Sequence, residues 1–298
     1  MITQADAERY REKGYICIPS LLPPKEIAEI VAAADEVMGR ARDLDRSDEV
    51  LDLDDAHTRD RPLVRRIKNP NQHHEAFHRL RSNARILDVL EPLLGPNIRF
   101  HHSKLNNKSA GGGSAVEWHQ DWAFYPHTND DVLAVGIYLD DCGMDNGPLL
   151  CLPGSHCGPT FDHHVDGAFC GAMDPTVDRL DYDKAEALYG PAGSITVHHA
   201  RTVHGSARNI SNRPRRLYLM GYTAADAWPL LGVPDFAAYE AMMVRGASTL
   251  APRIAEAPIR VPFPVAKNQG SIYENQKELK HRFFEDKAAS PDGRRAAE

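Results

Sequence analysis

This 298-residue chain is short of several things, and each shortage narrows what it can be. It has no basic excess: 35 lysines and arginines stand against 42 acids, a formal charge of -7. That removes the electrostatic reason to expect nucleic acid or an anionic membrane as a partner. Its five cysteines, Cys17, Cys142, Cys151, Cys157 and Cys170, are odd in number and form no Cys-x-x-Cys, which argues against a zinc ribbon or a disulfide framework. No apolar run approaches membrane-spanning length. The opening Met1-Ile-Thr-Gln-Ala-Asp-Ala-Glu-Arg lacks the basic and apolar regions of a signal peptide. A cytoplasmic protein with reduced thiols is expected, acting on a small molecule. There is no internal repeat and no sequence signal of oligomeric state.

Periodicity divides the chain into a helical start, a strand-rich middle and a C-terminal extension. Thr3 with Asp6 at the third helical position caps a first helix that stops at Gly14. Tyr15 to Pro19 reads as a strand. Pro23-Pro24 opens a helix with Ile27, Ile30, Val31, Ala34 and Met38 on one face. Residues 41–61 lose all pattern to acids and arginines, as a solvated loop or a lid over a site would. Helical patterns return at His74 to Leu80 and Ala84 to Leu94. From Asn97 onward the signals are strands and turns: Asn97 to Lys108, Val132 to Leu139, Leu149 to Leu152, Ser194 to His199 and Leu217 to Tyr222. Helices are expected again over Asp235 to Val244 and Tyr273 to Asp286. Many short strands with turn punctuation predict a mainly β fold with flanking helices, a barrel or sandwich rather than a parallel sheet.

What the chain has in quantity is histidine, 15 in all. A histidine two residues before an acid occurs at His73/Glu75, His119/Asp121 and His164/Asp166, where about two such pairs are expected from composition, so the motif needs context. Side chains two apart on a strand leave on the same face, so His119 and Asp121 can converge on one point. They follow Gly111-Gly-Gly113 and sit among Trp118, Trp122, Phe124 and Tyr125, a low-dielectric wall suited to oxidative chemistry. His73/Glu75 lies in a helical pattern, where such a pair diverges. A later histidine must complete a two-histidine, one-carboxylate set, the arrangement of non-haem Fe(II) oxygenases. His198, His199 and His204 compete for that place. A 2-oxoglutarate enzyme also needs a cation for the cosubstrate's far carboxylate, and arginine does this best. Arg215 follows His204 by eleven residues at the start of an apolar strand, with Arg216 one register away; the same step from His198 or His199 reaches Asn209 or Ile210. Ser206 shares the face of His204. A zinc hydrolase would fit the three ligands but not the arginine.

His119-Gln-Asp121, Asn146-Gly-Pro with Leu152-Pro-Gly-Ser-His156, and His204-Gly-Ser206 with Arg215 together resemble the phytanoyl-CoA dioxygenase family of Fe(II)/2-oxoglutarate oxygenases, over roughly residues 1 to 225. The resemblance implies a double-stranded β-helix, the jelly-roll or cupin-like barrel. It implies one oxygenase domain over 1–298, with a helical part to about 95, a barrel core of about 97–225 and a helical extension of about 230–290. It implies His119, Asp121 and His204 as iron ligands, with Arg215, Ser206 and Asn106 on 2-oxoglutarate. O2 is the co-reactant, and succinate and CO2 are released. A carboxylate at 121, where the related halogenases carry a small residue, implies hydroxylation or another oxygen-transfer or desaturation outcome, hydroxylation first. By alternation His102, Lys104, Asn106 and Lys108 share a face. Phe124, Tyr125, Lys104, His102 and Trp228 are the candidate substrate contacts. The expected substrate is small and largely apolar, such as a natural-product intermediate. The alternatives are an acyl-CoA hydroxylase of the same chemistry or a non-catalytic metal-binding barrel.

Overall fold

The computed structural model describes residues 2–267 and 271–285. Helix α1 (Gln4–Lys13) begins on the expected reciprocal cap: the Thr3 hydroxyl accepts from the Asp6 N–H while the Asp6 carboxylate accepts from the Thr3 N–H. It ends at Gly14, whose left-handed backbone turns the chain into strand β1 (Tyr15–Ile18). Helix α2 (Pro24–Gly39) starts on proline and buries Ile27, Ile30, Ala33, Ala34 and Val37. Strands β2 (Leu51–Leu53) and β3 (Val64–Lys68) precede helices α3 (Glu75–Leu80) and α4 (Ala84–Leu94). Pro92 sits inside α4 without shortening it. Then come β4 (Ile98–Lys108), β5 (Val116–His119), β6 (Val132–Tyr138) and β7 (Leu149–Cys151). A small hairpin, β8 (His164–Val165) and β9 (Ala168–Phe169), is followed by β10 (Glu186–Leu188), β11 (Ile195–His199), β12 (His204–Ser206) and β13 (Arg215–Ala224).

The strands pair antiparallel into two main sheets. The larger runs β1-β11-β6-β13-β4-β3-β2, and the smaller β10-β7-β12-β5. Helices α2, α3 and α4 cover one face of the larger sheet, and Phe77, Leu90, Val135, Ile137, Tyr218 and Met220 lie in the core between. A fully buried side chain of this size contributes about 1.5–3 kcal/mol. The other face of the larger sheet looks across a cavity to the smaller one. Most site residues lie on those two inner faces.

Three expectations need correcting. Residues 41–61 are not a structureless lid. They supply the edge strand β2, where Asp52 meets Arg66 and Lys68, and none of them lines the cavity between the sheets. The helix expected over Asp235 to Val244 is only α5 (Phe236–Glu240), and β14 (Met243–Arg245) then pairs with the start of β4. The helix expected from Tyr273 is α6 (Ile272–Asn275) plus one tighter turn at Gln276–Glu278, while Asp286 lies outside the described residues. No helix among the described residues is long and apolar enough to cross a membrane.

Candidate metal centre and cosubstrate cavity

Strand pairing brings the distant histidine home. β12 lies against β5 with His204 directly opposite His119, and the two rings are 4.1 Å apart between centroids. Asp121 is the first residue of a tight turn just past β5, reached through Gln120, whose backbone is still extended. Alternation therefore carries to Asp121, while Gln120 points the other way. Its amide donates to the Arg201 and Pro159 carbonyls, its side-chain oxygen accepts from Phe161 N–H, and its own N–H donates to buried His163. Those bonds fix the residue between the two candidate ligands.

One ligand atom from each of His119, Asp121 and His204 lies within 4.8 Å of the others, and all three residues are buried. Nδ1 of His119 is 2.8 Å from the Glu117 carbonyl, and Nδ1 of His204 is 2.9 Å from that of Thr202. A carbonyl can only accept, so Nδ1 carries the hydrogen in both rings. The Nε2 lone pairs are left for a metal, the usual way a backbone contact sets a ligand's tautomer. Burial pushes the His119 pKa down to about 4 and that of His204 well below its ordinary value, so both rings are neutral at pH 7. Burial alone would raise Asp121, yet the Lys104 charge and a contact from His198 hold it well below the usual carboxylate range. Two neutral imidazoles and one carboxylate suit Fe(II). The chemistry of this donor set passes the test for such an ion.

From the larger sheet, His102, Lys104 and Asn106 on β4 face inward, as alternation predicts. Arg215, Leu217 and Leu219 do so on β13, and His198 on β11. Together with Ser206, Val116, Leu149 and Ile272 they enclose a cavity of about 40 Å³ that the three candidate ligands also line. Arg215 is 2 % exposed, with Nε and Nη2 donating to the Gly147 carbonyl at 3.0 and 2.7 Å. Gly147 has φ +75°, and a Cβ there would sit 2.6 Å from the Ala207 carbonyl, so the turn that anchors the guanidinium needs glycine. Nη1 of Arg215 and Oδ1 of Asn106 are buried with no hydrogen-bond partner. Such groups are costly unless a ligand meets them. Arg216, the alternative, points the other way and is paired with Asp140 and Asp35. Lys108 is fully buried and donates to the Ser206 and Ala207 carbonyls, where it holds the strand that carries Ser206.

At the metal end, no hydrogen bond or ion pair reaches the Lys104 ammonium among the described residues. Burial lowers its pKa. His102 packs over Gly221, where a Cβ would come within 2.7 Å of its ring, and its pKa falls to about 4 through burial and the Lys104 charge. Tyr125 rests against the His101 and His102 rings at 4.9 and 5.0 Å, and burial and the Asp121 charge keep its phenol protonated. Phe124 lies edge-on to His119 at 6.0 Å and against Phe169. Both aromatics flank the cavity without lining it. Trp228 is not brought there: it packs on Tyr239, Phe236 and Arg99 and donates to the Thr249 carbonyl. Trp118 and Trp122 belong to separate packing clusters. The residue missed at the sequence level is His198. It competed there as a metal ligand, and it stands beside the three rather than among them.

The family model for phytanoyl-CoA dioxygenase matches residues 10–217. The chain is 42% identical to a probable alpha-ketoglutarate-dependent hypophosphite dioxygenase of Stutzerimonas stutzeri, over 92% of this chain and 97% of that one. It is 28% identical to the L-proline trans-4-hydroxylase of Streptomyces griseoviridis, over 74% of this chain and 86% of the relative. The iron-bound crystal structure of EctD from S. alaskensis shares the fold, with a TM-score of 0.65 and 24% identity over 86% of this chain and 88% of that one. Alpha-ketoglutarate is 2-oxoglutarate, so the donor set, the buried guanidinium and the relatives agree on the cosubstrate as well as the metal. The chain belongs to the phytanoyl-CoA dioxygenase family and is an Fe(II)- and 2-oxoglutarate-dependent dioxygenase of a small molecule.

Proposed function

We propose that this dioxygenase holds Fe(II) through His119, Asp121 and His204, and seats the far carboxylate of 2-oxoglutarate on Arg215, Ser206 and Asn106. Its substrate in this reading is a small oxyanion held by Lys104 and His102, of the class to which hypophosphite belongs. The observation that carries the reading is the buried, unpartnered Nη1 of Arg215 in the same cavity as the three convergent donors. The two facing sheets are read as the halves of a double-stranded β-helix, in one oxygenase domain over 1–298. All five cysteines are unpaired, which supports a reducing, cytoplasmic setting.

Such an iron centre, with 2-oxoglutarate and O2, supplies oxidative decarboxylation: one oxygen atom enters succinate as CO2 leaves, and the other enters the substrate. The chain's own residues place and enclose the reactants. Arg215 offers directed N–H bonds where a point charge would leave the dicarboxylate free to swing. Leu217 and Leu219 exclude water beside them. Lys104 decides the substrate class. Once Asp121 is committed to a dication, the half-buried ammonium lacks a counter-charge unless the substrate brings one. A largely apolar substrate, the expectation from sequence, would leave it unmatched. The relative's name supports the anionic choice. Insertion of one oxygen into a P–H bond of hypophosphite oxidises the substrate by two electrons and gives phosphite.

The test is turnover of purified protein with Fe(II), ascorbate, 2-oxoglutarate and O2 in parallel with hypophosphite, L-proline and ectoine. The reading expects succinate and phosphite in equal amounts, the phosphite followed by phosphorus NMR. Succinate coupled only to a carbon substrate overturns the oxyanion reading. No succinate under any condition overturns the assignment of the site.

A further inference from the structure

His198 is 1 % exposed, lines the cavity, and has neither ring nitrogen hydrogen-bonded. An imidazole offers one donor and one acceptor, and leaving both buried without a hydrogen bond is unfavourable. Nothing in the packing requires a histidine here. Its neighbours across the sheet are Tyr15 and Ala134, and Val197 and Ile195 on the same strand are apolar. Its Nε2 lies 3.4 Å from Oδ2 of Asp121, and its ring is 4.4 Å from that of His204. The other oxygen, Oδ1 of Asp121, is the one near His119, at 3.9 Å from Nε2. The carboxylate therefore stands with one oxygen toward His119 and the other toward His198.

We infer that His198 is a positioning residue for the metal centre: its Nε2–H donates to Oδ2 of Asp121 and so keeps that carboxylate a one-oxygen ligand. This rests on His119, Asp121 and His204 being the metal ligands. A carboxylate free to turn could give both oxygens to the ion and fill a position that the cosubstrate or O2 needs, whereas an N–H on the second oxygen removes that option. It also fixes the rotation of the only anionic ligand of the three. Of the other side chains near Asp121, the Tyr125 phenol, just past the turn that Asp121 begins, can donate to the same carboxylate, and Lys104 acts as a charge rather than a directed bond. His198 approaches Oδ2 from the larger sheet with a planar ring nitrogen, at 3.4 Å. Only a group with a nitrogen donor near that reach can replace it. Glutamine is one, and phenylalanine fills the space without donating.

The experiment titrates Co(II) into full-length protein without oxygen and follows both affinity and the visible ligand-field spectrum, for the wild type, Asp121→Ala, His198→Phe and His198→Gln. Asp121→Ala tests the ligand assignment on which the inference stands. For His198→Phe the expected result is metal affinity lower by about 10–100-fold, the range for losing an outer partner of a metal ligand, with an altered spectrum. His198→Gln should recover most of the affinity and the wild-type spectrum. Wild-type affinity and spectrum in His198→Phe, with both changed in Asp121→Ala, would keep the metal site and overturn the role of His198. A measurement that needs no variant covers the case in which His198→Phe does not fold. Nitrogen NMR of the wild-type protein loaded with Zn(II) should report His198 as the Nε2–H tautomer, and the Nδ1–H tautomer would overturn the inference.

Discussion

Removing the Arg215 guanidinium should separate cosubstrate binding from folding. In the free protein this side chain is 2 % exposed, two of its nitrogens share one carbonyl, the third has no partner, and Lys108 is a like charge nearby. Arg215→Met keeps the stem and relieves a buried cation, so the loss of two hydrogen bonds is offset, and the protein without 2-oxoglutarate should melt within about 2 °C of wild type or higher. Binding has no such compensation. Leaving a buried carboxylate without its cation costs about 2–5 kcal/mol, which weakens 2-oxoglutarate roughly 30-fold to several thousand-fold. Thermal unfolding with Mn(II) in place of iron reads both effects. At 2-oxoglutarate a hundred times the wild-type Kd, ligand linkage stabilises the wild type by about 2.7 kcal/mol. For a chain of this length that is a rise of roughly 5 °C. Arg215→Met at the same concentration should rise by less than about 2 °C. A variant that keeps the full ligand-induced rise would refute the clamp and return attention to Arg216.

Lys104→Met should leave 2-oxoglutarate affinity within a few-fold while raising the KM for an oxyanion about 10–100-fold, since a charge-assisted bond contributes about 1.5–3 kcal/mol; an unchanged KM would free Lys104 from the substrate. Burial lowers the pKa values of His102, His119 and His127 to about 4 and those of His163 and His199 to about 3, against 6.5 when unfolded. The unfolded chain thus binds more protons below pH 6.5, so stability is full above that pH and falls on acidification toward pH 4. Denaturant unfolding between pH 7 and 5 should show uptake of about three or more protons, and a flat profile would contradict the buried neutral histidines. Trp228→Leu should cost about 1–3 kcal/mol through lost packing on Tyr239 and Arg99. It should leave the ratio of succinate to oxidised product unchanged, and a changed ratio would put Trp228 back at the site.

The legible parts of the sequence were those set by local rules. The Thr3–Asp6 cap, α4 from Ala84 to Leu94 and the inward face of His102, Lys104 and Asn106 follow from capping and period alone. The eleven-residue step from His204 points to Arg215 because one turn and a change of sheet separate the two. What stayed hidden depended on distant partners. Asp52 looks like loop until Arg66 and Lys68 meet it across β2 and β3. Met243 to Arg245 continues a helical pattern and becomes a strand only because the start of β4 offers an open edge. His198 is a rival candidate ligand in the sequence because spacing does not distinguish a histidine aimed at a metal site from one aimed at a neighbouring carboxylate, here Asp121. Trp228, a candidate substrate contact from the sequence, packs instead on Arg99, which comes from a strand far earlier in the chain.

One diffraction experiment bears on the centre of this account. Crystals grown with Fe(II) and 2-oxoglutarate without oxygen, measured at the iron absorption edge, should give a single anomalous peak bonded to Nε2 of His119, one oxygen of Asp121 and Nε2 of His204, with a dicarboxylate reaching from it to Arg215. A peak on other residues, or a 2-oxoglutarate molecule whose far carboxylate ignores Arg215, would contradict it.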